Sequence, residues 1–309
     1  MIKAYFMPAW GDSPEVILDT LKLQTPSNSG QWKDLIGVSN IADADCFIIQ
    51  DYTDKEHIKF LKSKNMIDKA FYFAREVPGG GPMEEYEGVK RFSYLDKNSY
   101  LYTKWAYPRS ISGGTGQTYD DLVNFEAPNK TKSLICVQSN KMFLEGHRVR
   151  VKFIREFCEY TPDDLDLFGS IMKNPYFTAL PSCNNAPKMV DDDKFKTMQE
   201  YKYCLAFDNG QYENYFGTQF TDAILSWTVP IYWGAPNIAD FFPEGSYISF
   251  DARNYEEIDR ILEVIEDESD YQSRLPALRE ARELILNKYN AWDTIHEAIT
   301  TGKNTWGFK

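Results

Sequence analysis

The sequence predicts an α/β protein made of two consecutive doubly wound domains, and three observations carry that prediction. Short apolar runs alternate with helix-period segments through residues 1–74. A polar, proline-bearing segment at residues 125–132 (FEAPNKTK) interrupts the pattern. The alternation then restarts and is clearest at residues 201–251, which read as strand, loop, helix, strand and loop in about fifty residues. Such alternation is the mark of parallel sheets joined by helical crossovers.

Residues 2–7 read as the opening strand, followed by a loop at 8–14, a helix at 15–21 and a polar turn at 25–31. Residues 44–50 (ADCFIIQ) form a second buried strand and lead through 51–54 into a helix at 55–64. Residues 70–74 (AFYFA) are a third strand, closed by Arg75, Glu76, Val77 and Pro78 and then by Gly79, Gly80 and Gly81. Residues 92–107 are looser and aromatic, and 110–117 (SISGGTGQ) form a flexible loop. Beyond the linker come a strand at 133–139, a helix at 149–160 and a strand at 165–169 ending on Gly169. Residues 173–193 are irregular, and a short helix at 195–201 precedes the central stretch. There, the strand at 203–207 ends in Asp208, Asn209 and Gly210. Phe216, Phe220, Ala223, Ile224 and Trp227 share one helical face. The strand at 229–233 stops at Gly234, Ala235 and Pro236. Helices at 255–266, 271–289 and 292–300 complete the chain. The resulting division is 1–125, an N-terminal α/β domain; 126–285, a second α/β domain; and 286–309, a helix and tail expected to pack back on the first.

The 46 acidic and 34 basic residues give a net charge of −12, which argues against a polyanion such as nucleic acid as partner. No apolar run approaches the roughly eighteen residues of a membrane-spanning helix. The opening MIKAYFMPAWGDSPEV lacks a signal-peptide core, so a cytoplasmic, soluble protein is expected. Cys46, Cys136, Cys158, Cys183 and Cys204 are scattered without a CxxC pair, which reads as reduced, mostly buried thiols. The seven Trp, twenty Tyr and twenty Phe can stack on sugar faces or serve as core. His57, His147 and His296 have no ligand spacing, and the run Asp191, Asp192 and Asp193 before a helix reads as a cap rather than a metal-binding DxD. No metal or cofactor is expected. Without a GxGxxG after the first strand, a nucleotide-dependent dehydrogenase is disfavoured.

Ligands of parallel sheets bind beyond the carboxyl ends of the strands, here the loops 208–219 and 234–237. A second polar cluster leaves the strand at 133–139 through Ser139 and Asn140 and enters a helix carrying Arg148, Arg150 and Lys152. A helix start and a guanidinium suit a diphosphate, while a solvated basic helix face is the alternative.

These residues also carry a resemblance. The run FDNG at 207–210, Asn214, Tyr215 and Phe216, a helix, and VPIYWGAP at 229–236 resemble the donor-binding signature of the family 10 glycosyltransferases, the α1,3/α1,4-fucosyltransferases and their relatives. The resemblance implies a GT-B fold, two Rossmann-like domains facing a cleft. It also implies a metal-independent, inverting transfer of a sugar, fucose first, from a nucleotide-sugar co-substrate to a hydroxyl of a glycan or glycoprotein. Ser139, Asn140, Arg150, Arg148 and Gly169 match the family's diphosphate-side pattern, with Arg150 ahead of Arg148. Asp208, Asn209, Tyr215, Gly217, Thr218 and Gln219 match its donor-lining stretch. Glu76 matches the family's base, with Val77 in place of a serine. Apart from the resemblance, the acceptor is expected to enter from the N-terminal domain, against the aromatic Trp105 and Tyr107. The family's Glu and Lys fall on Thr218 and Gln219, and a neutral amide lacks the cation's Coulomb contribution. Three readings follow: GDP-fucose with the charge supplied by Arg150 or Arg148, a UDP-sugar such as UDP-xylose, or a non-catalytic binding protein.

Overall fold

The computed structural model describes residues 1–9, 11–74, 76–77, 86–93, 117–178 and 194–302. The elements in chain order are β1 (Ile2–Phe6), α1 (Pro14–Lys22), β2 (Gln31–Trp32), β3 (Leu35–Gly37), β4 (Cys46–Gln50), α2 (Lys55–Ser63), β5 (Ala70–Ala74), β6 (Lys90–Ser93) and α3 (Tyr119–Val123). There follow β7 (Lys132–Val137), α4 (Glu145–Tyr160), β8 (Asp166–Phe168), α5 (Pro175–Thr178), α6 (Lys194–Met198), β9 (Tyr201–Phe207), α7 (Thr218–Leu225) and β10 (Val229–Trp233). Last come β11 (Ile248–Ser249), α8 (Glu257–Glu266), α9 (Asp270–Asn287) and α10 (Ala291–Thr301). The chain divides into two compact units, one of Met1–Trp105, Gln117–Phe125 and Leu286–Lys309, the other of Ala106–Gly116 and Glu126–Ile285.

The first unit holds a six-stranded sheet in the order β2-β3-β1-β4-β5-β6, parallel except for the β2–β3 pair. β4 and β5 are buried at every position, as parallel strands covered on both faces must be. Side chains alternate between two apolar layers: Phe6, Ile48 and Phe73 enter one, and Tyr5, Phe47, Ile49 and Tyr72 the other. α10 belongs to the first layer. Its Trp292 is fully buried, meets Phe6 edge-on at 5.5 Å and donates its indole N–H to Leu21 O at 2.8 Å. Asp293 accepts the Trp32 indole N–H at 2.8 Å and pairs with Lys33 at 2.5 Å, fastening α10 to β2.

The second unit holds a five-stranded, wholly parallel sheet in the order β11-β10-β9-β7-β8. Both units share one winding: the second parallel strand lies on one side of the first, and the third to fifth lie on the other. The reversal in the second unit occurs at β7, and ligands of such sheets sit outside the carboxyl ends at that point. β8 is closed against β7 by Gly169, whose φ of +95° and contact with Gln138 O, 2.4 Å from where a Cβ would stand, leave room only for glycine.

α7 is anchored at its far end by two buried basic side chains, of which Arg282 carries the charge at neutral pH. Lys130 donates to Ser226 O at 2.7 Å and Thr228 Oγ1 at 2.9 Å, and Arg282 donates to Leu225 O. Positive groups at a helix C-terminus complement its dipole. Burial, with Arg282 adding to it, pushes the Lys130 pKa down to about 6. Trp227, expected on the helical face, instead lies in the turn after α7 with φ +60°, under the Arg282 guanidinium at 4.5 Å.

Cys46, Cys136 and Cys204 are buried free thiols, but Cys158 is disulfide-bonded, against the expectation of reduced thiols throughout. Among the described residues no helix is long and apolar enough to cross a membrane.

Candidate active site

β7 and β9 are adjacent, and their carboxyl ends deliver Ser139 and Asp208 to the same edge of the sheet. α4 follows β7 and turns inward a face that contains Gly146, His147, Arg150, Val151 and Ile154. Arg150 sits at an apolar position of that helical period and is only 3% exposed. Its Nη2 donates to Ser139 Oγ at 3.0 Å, and its Nε has no hydrogen-bond partner among the described residues. Burial draws its pKa down to about 10, partly offset by the nearby Cys136 and Asp208. A guanidinium with a spare buried donor is suited to a bidentate anion.

His147 holds the next loop. Its Nδ1 accepts the Leu144 N–H at 3.3 Å, which leaves the proton on Nε2, and Nε2–H donates to Asn209 Oδ1 at 2.9 Å. Burial, then the Arg150 charge, lowers its pKa to about 4, so the ring is neutral at physiological pH. Gly146 makes this contact possible, because a Cβ there would lie 2.3 Å from Asn209 O.

Asp208 gathers three loops. Its Oδ1 accepts the Gly217 N–H at 2.9 Å, its Oδ2 accepts the Tyr232 hydroxyl, and Tyr232 Oη accepts the Ala235 N–H at 2.8 Å. Gly217 and Gly234 permit the approach: Cβ atoms there would lie 2.5 and 2.4 Å from the Asp208 oxygens. Burial pushes the Asp208 carboxyl up to about 7, against the lowering influence of its two hydrogen bonds and Arg150. The carboxylate thereby ties the start of α7 to β9. That start, at Gly217, has no side-chain cap among the described residues. Gln219, in the first turn, accepts from Lys194 Nζ at 3.1 Å, and the same ammonium pairs with Asp222 at 2.5 Å. The edge thus combines a buried guanidinium, an ammonium and the positive end of a helix dipole, a set able to neutralise a diphosphate.

The profile of glycosyltransferase family 10 (fucosyltransferase), C-terminal part, matches residues 127–281, half of the chain and nearly all of the second unit. The chain belongs to glycosyltransferase family 10. A GDP-fucose protein O-fucosyltransferase 3 of Rattus norvegicus is 32% identical over 115 residues, 37% of this chain and 22% of the relative. The chain therefore spans well under half the length of that protein. Among solved structures, an α1,3-fucosyltransferase superposes with a TM-score of 0.53 at 17% identity, covering 94% of this chain and 91% of the other. An α-glucosyltransferase in complex with UDP and DNA gives 0.52 at 12% identity, covering 96% and 97%. These likenesses show the GT-B type of fold, two α/β units with separate sheets.

Of the family-matched residues, the structure gathers Ser139, Arg150, Asp208, Asn209, Gly217 and Gln219 at one edge. Thr218 opens the first turn of α7, and Tyr215 is buried in the loop before it. Asn140 turns towards β8, its N–H donating to Ser170 Oγ at 3.2 Å. Arg148 is directed elsewhere: its Nη1 donates to Met142 O and Phe143 O, clamping the loop ahead of α4. Glu76 lies in the first unit beyond β5, where its N–H donates to Asp51 Oδ1 at 3.2 Å. Trp105 and Tyr107, together with Arg75, Gly79, Gly80, Gly81, Asp191, Asp192 and Asp193, lie outside the described residues. Sequence reasoning passed over Tyr232, Lys194, the His147–Asn209 bond and Asp51. Tyr232 and the His147–Asn209 bond had a signal in the neighbouring Gly234 and Gly146, whereas Lys194 and Asp51 had none.

Proposed function

We propose that the chain transfers fucose from GDP-fucose to a hydroxyl carried by a glycan or glycoprotein. The observation that carries the reading is the convergence of Arg150, Asp208 and the α7 N-terminus at the carboxyl edge of β7 and β9, within the segment matched by the family profile. In this reaction the acceptor oxygen attacks the anomeric carbon. The bond from that carbon to the diphosphate oxygen breaks, and its electron pair leaves on the diphosphate. Arg150 meets that growing charge, a kind of stabilisation whose loss costs about 10²–10³ in rate. Glu76 takes the acceptor's proton, its backbone held by Asp51, which sits buried in the left-handed region at φ +61°. Displacement in line with the leaving group inverts the anomeric centre.

The curated relatives are named for protein acceptors, which favours a hydroxyl on a polypeptide or its glycan. The neutral Thr218 and Gln219 favour a second reading, a UDP-sugar such as UDP-xylose in the same site. The Cys158 disulfide favours an oxidising compartment over the cytoplasm expected from the sequence.

Transfer from GDP-fucose, UDP-xylose and UDP-glucose to glycoprotein acceptors tests the proposal. GDP-fucose is expected to be used, with turnover lost in Glu76→Gln while GDP still binds. Use of UDP-xylose alone would select the second reading. GDP and UDP binding with no transfer from any donor, unaffected by Glu76→Gln, would mean a non-catalytic member.

A further inference from the structure

We propose that Lys194, reaching across from α6, is the cation that receives the departing phosphate at the first turn of α7, with Asp222 keeping it aimed there. The inference rests on the donor reading above. α7 brings no charge of its own to this turn, since its first residues are Thr218 and Gln219. The charge comes instead from Lys194, whose ammonium lies 3.1 Å from Gln219 Oε1 and 2.5 Å from Asp222 Oδ2. Gln219 and Asp222 are one turn apart on α7, so the lysine spans the turn nearest the helix start.

A lysine serving only to tie α6 to α7 would be better placed further along, because the positive end of a helix dipole disfavours a cation. Its position is reasonable where an anion is to be shared. Lys194 is also not alone. The guanidinium of Arg150, 3% exposed and with an Nε unpartnered among the described residues, lies within electrostatic reach of Asp208, whose Oδ1 takes the Gly217 N–H at the start of α7. The Lys194 side chain is 23% exposed, open enough for a ligand oxygen to replace one of its present acceptors. An ammonium has three donors, and among the described residues two are engaged.

The test is calorimetric titration of wild type, Lys194→Gln and Lys194→Gln/Gln219→Lys with GDP, UDP and the two nucleosides without phosphate. Lys194→Gln retains a polar side chain opposite Asp222 and removes the charge. The expected result is at least tenfold weaker binding of the diphosphate that wild type prefers. Affinity for the matching nucleoside stays unchanged, and Gln219→Lys restores diphosphate binding to within about threefold. Unchanged diphosphate affinity in a folded Lys194→Gln overturns the inference alone and leaves the donor site standing. Equal weakening of diphosphate and nucleoside overturns it too, by making Lys194 a purely structural tie. Wild type that binds neither diphosphate removes the donor reading and this inference with it.

Discussion

Asp208→Asn is a change of one atom whose consequences can be worked out from the bonds around it. The Asn Oδ1 can still accept the Gly217 N–H, but its Nδ2 would face the Tyr232 hydroxyl, which now donates to Asp208 Oδ2. Tyr232 Oη already accepts from Ala235 N–H, so its own proton would be left without an acceptor in a fully buried place. An unsatisfied buried group of this kind costs about 1–3 kcal/mol. The pH dependence is more telling. The folded carboxyl titrates near 7 and the unfolded one at 3.8, so between these values the native state holds the extra proton. Stability from this group is complete below the lower value and declines as pH rises through the upper one, by at most about 1.4 kcal/mol per pH unit. His147 acts in the opposite sense. Its folded pKa near 4 lies below the unfolded 6.5, so the unfolded state binds the proton and stability rises with pH across that window. In wild type the two slopes oppose each other, and in Asp208→Asn only the histidine slope remains. Urea denaturation at pH 4.5, 5.5 and 6.5 reads this directly. The wild-type advantage over the variant should shrink by about 1 kcal/mol per pH unit across the series. An advantage that stays constant or grows with pH would mean that the hydrogen bonds and Arg150 outweigh burial, refuting the reasoning.

The remaining predictions concern packing and covalent structure. Gly146→Ala puts a methyl 2.3 Å from Asn209 O and 2.6 Å from Gly210 N, so it should cost about 1–3 kcal/mol and weaken nucleotide binding, as thermal melts with and without GDP would show. Trp292→Ala empties the layer between α10 and the first sheet and should cost about 3–5 kcal/mol in chemical denaturation, without altering the second unit's nucleotide affinity if that unit remains folded. Alkylation of the denatured, unreduced chain should label Cys46, Cys136 and Cys204 and spare Cys158 until a reductant is added, read by peptide mass.

Long, strongly patterned segments were legible in the sequence. β4, β5, β9 and β10 are continuous apolar runs bounded by turn residues, and the amphipathic α4 and α8 declare themselves by period. β2, β3, β6 and α3 were not, because strands of two to four residues and a five-residue helix are too short to show a period. The segment around Lys130 read as linker, yet this lysine is buried under the end of α7, a role decided by Ser226 O and Thr228 Oγ1 far along the chain. At the site, Arg150 was found through the Ser139–Asn140 pair ahead of a basic helix and through the family pattern; its inward position is what the structure adds. Tyr232 looked like one more apolar strand residue, and only its meeting with Asp208 gives its hydroxyl a purpose. Lys194 stood at the edge of the short helix read at 195–201, with no sign of a partner. Its contact with Gln219 depends on how α6 and α7 pack, which local sequence does not encode.

The central claim is that the carboxyl edge of β7 and β9 holds the donor diphosphate through Arg150. Calorimetric binding of GDP to wild type and to Arg150→Met, with circular dichroism to confirm the fold, tests it most directly. Loss of a buried charge-assisted contact worth about 1.5–3 kcal/mol predicts roughly 10- to 150-fold weaker binding by the variant. Equal affinity in a folded Arg150→Met would contradict the claim.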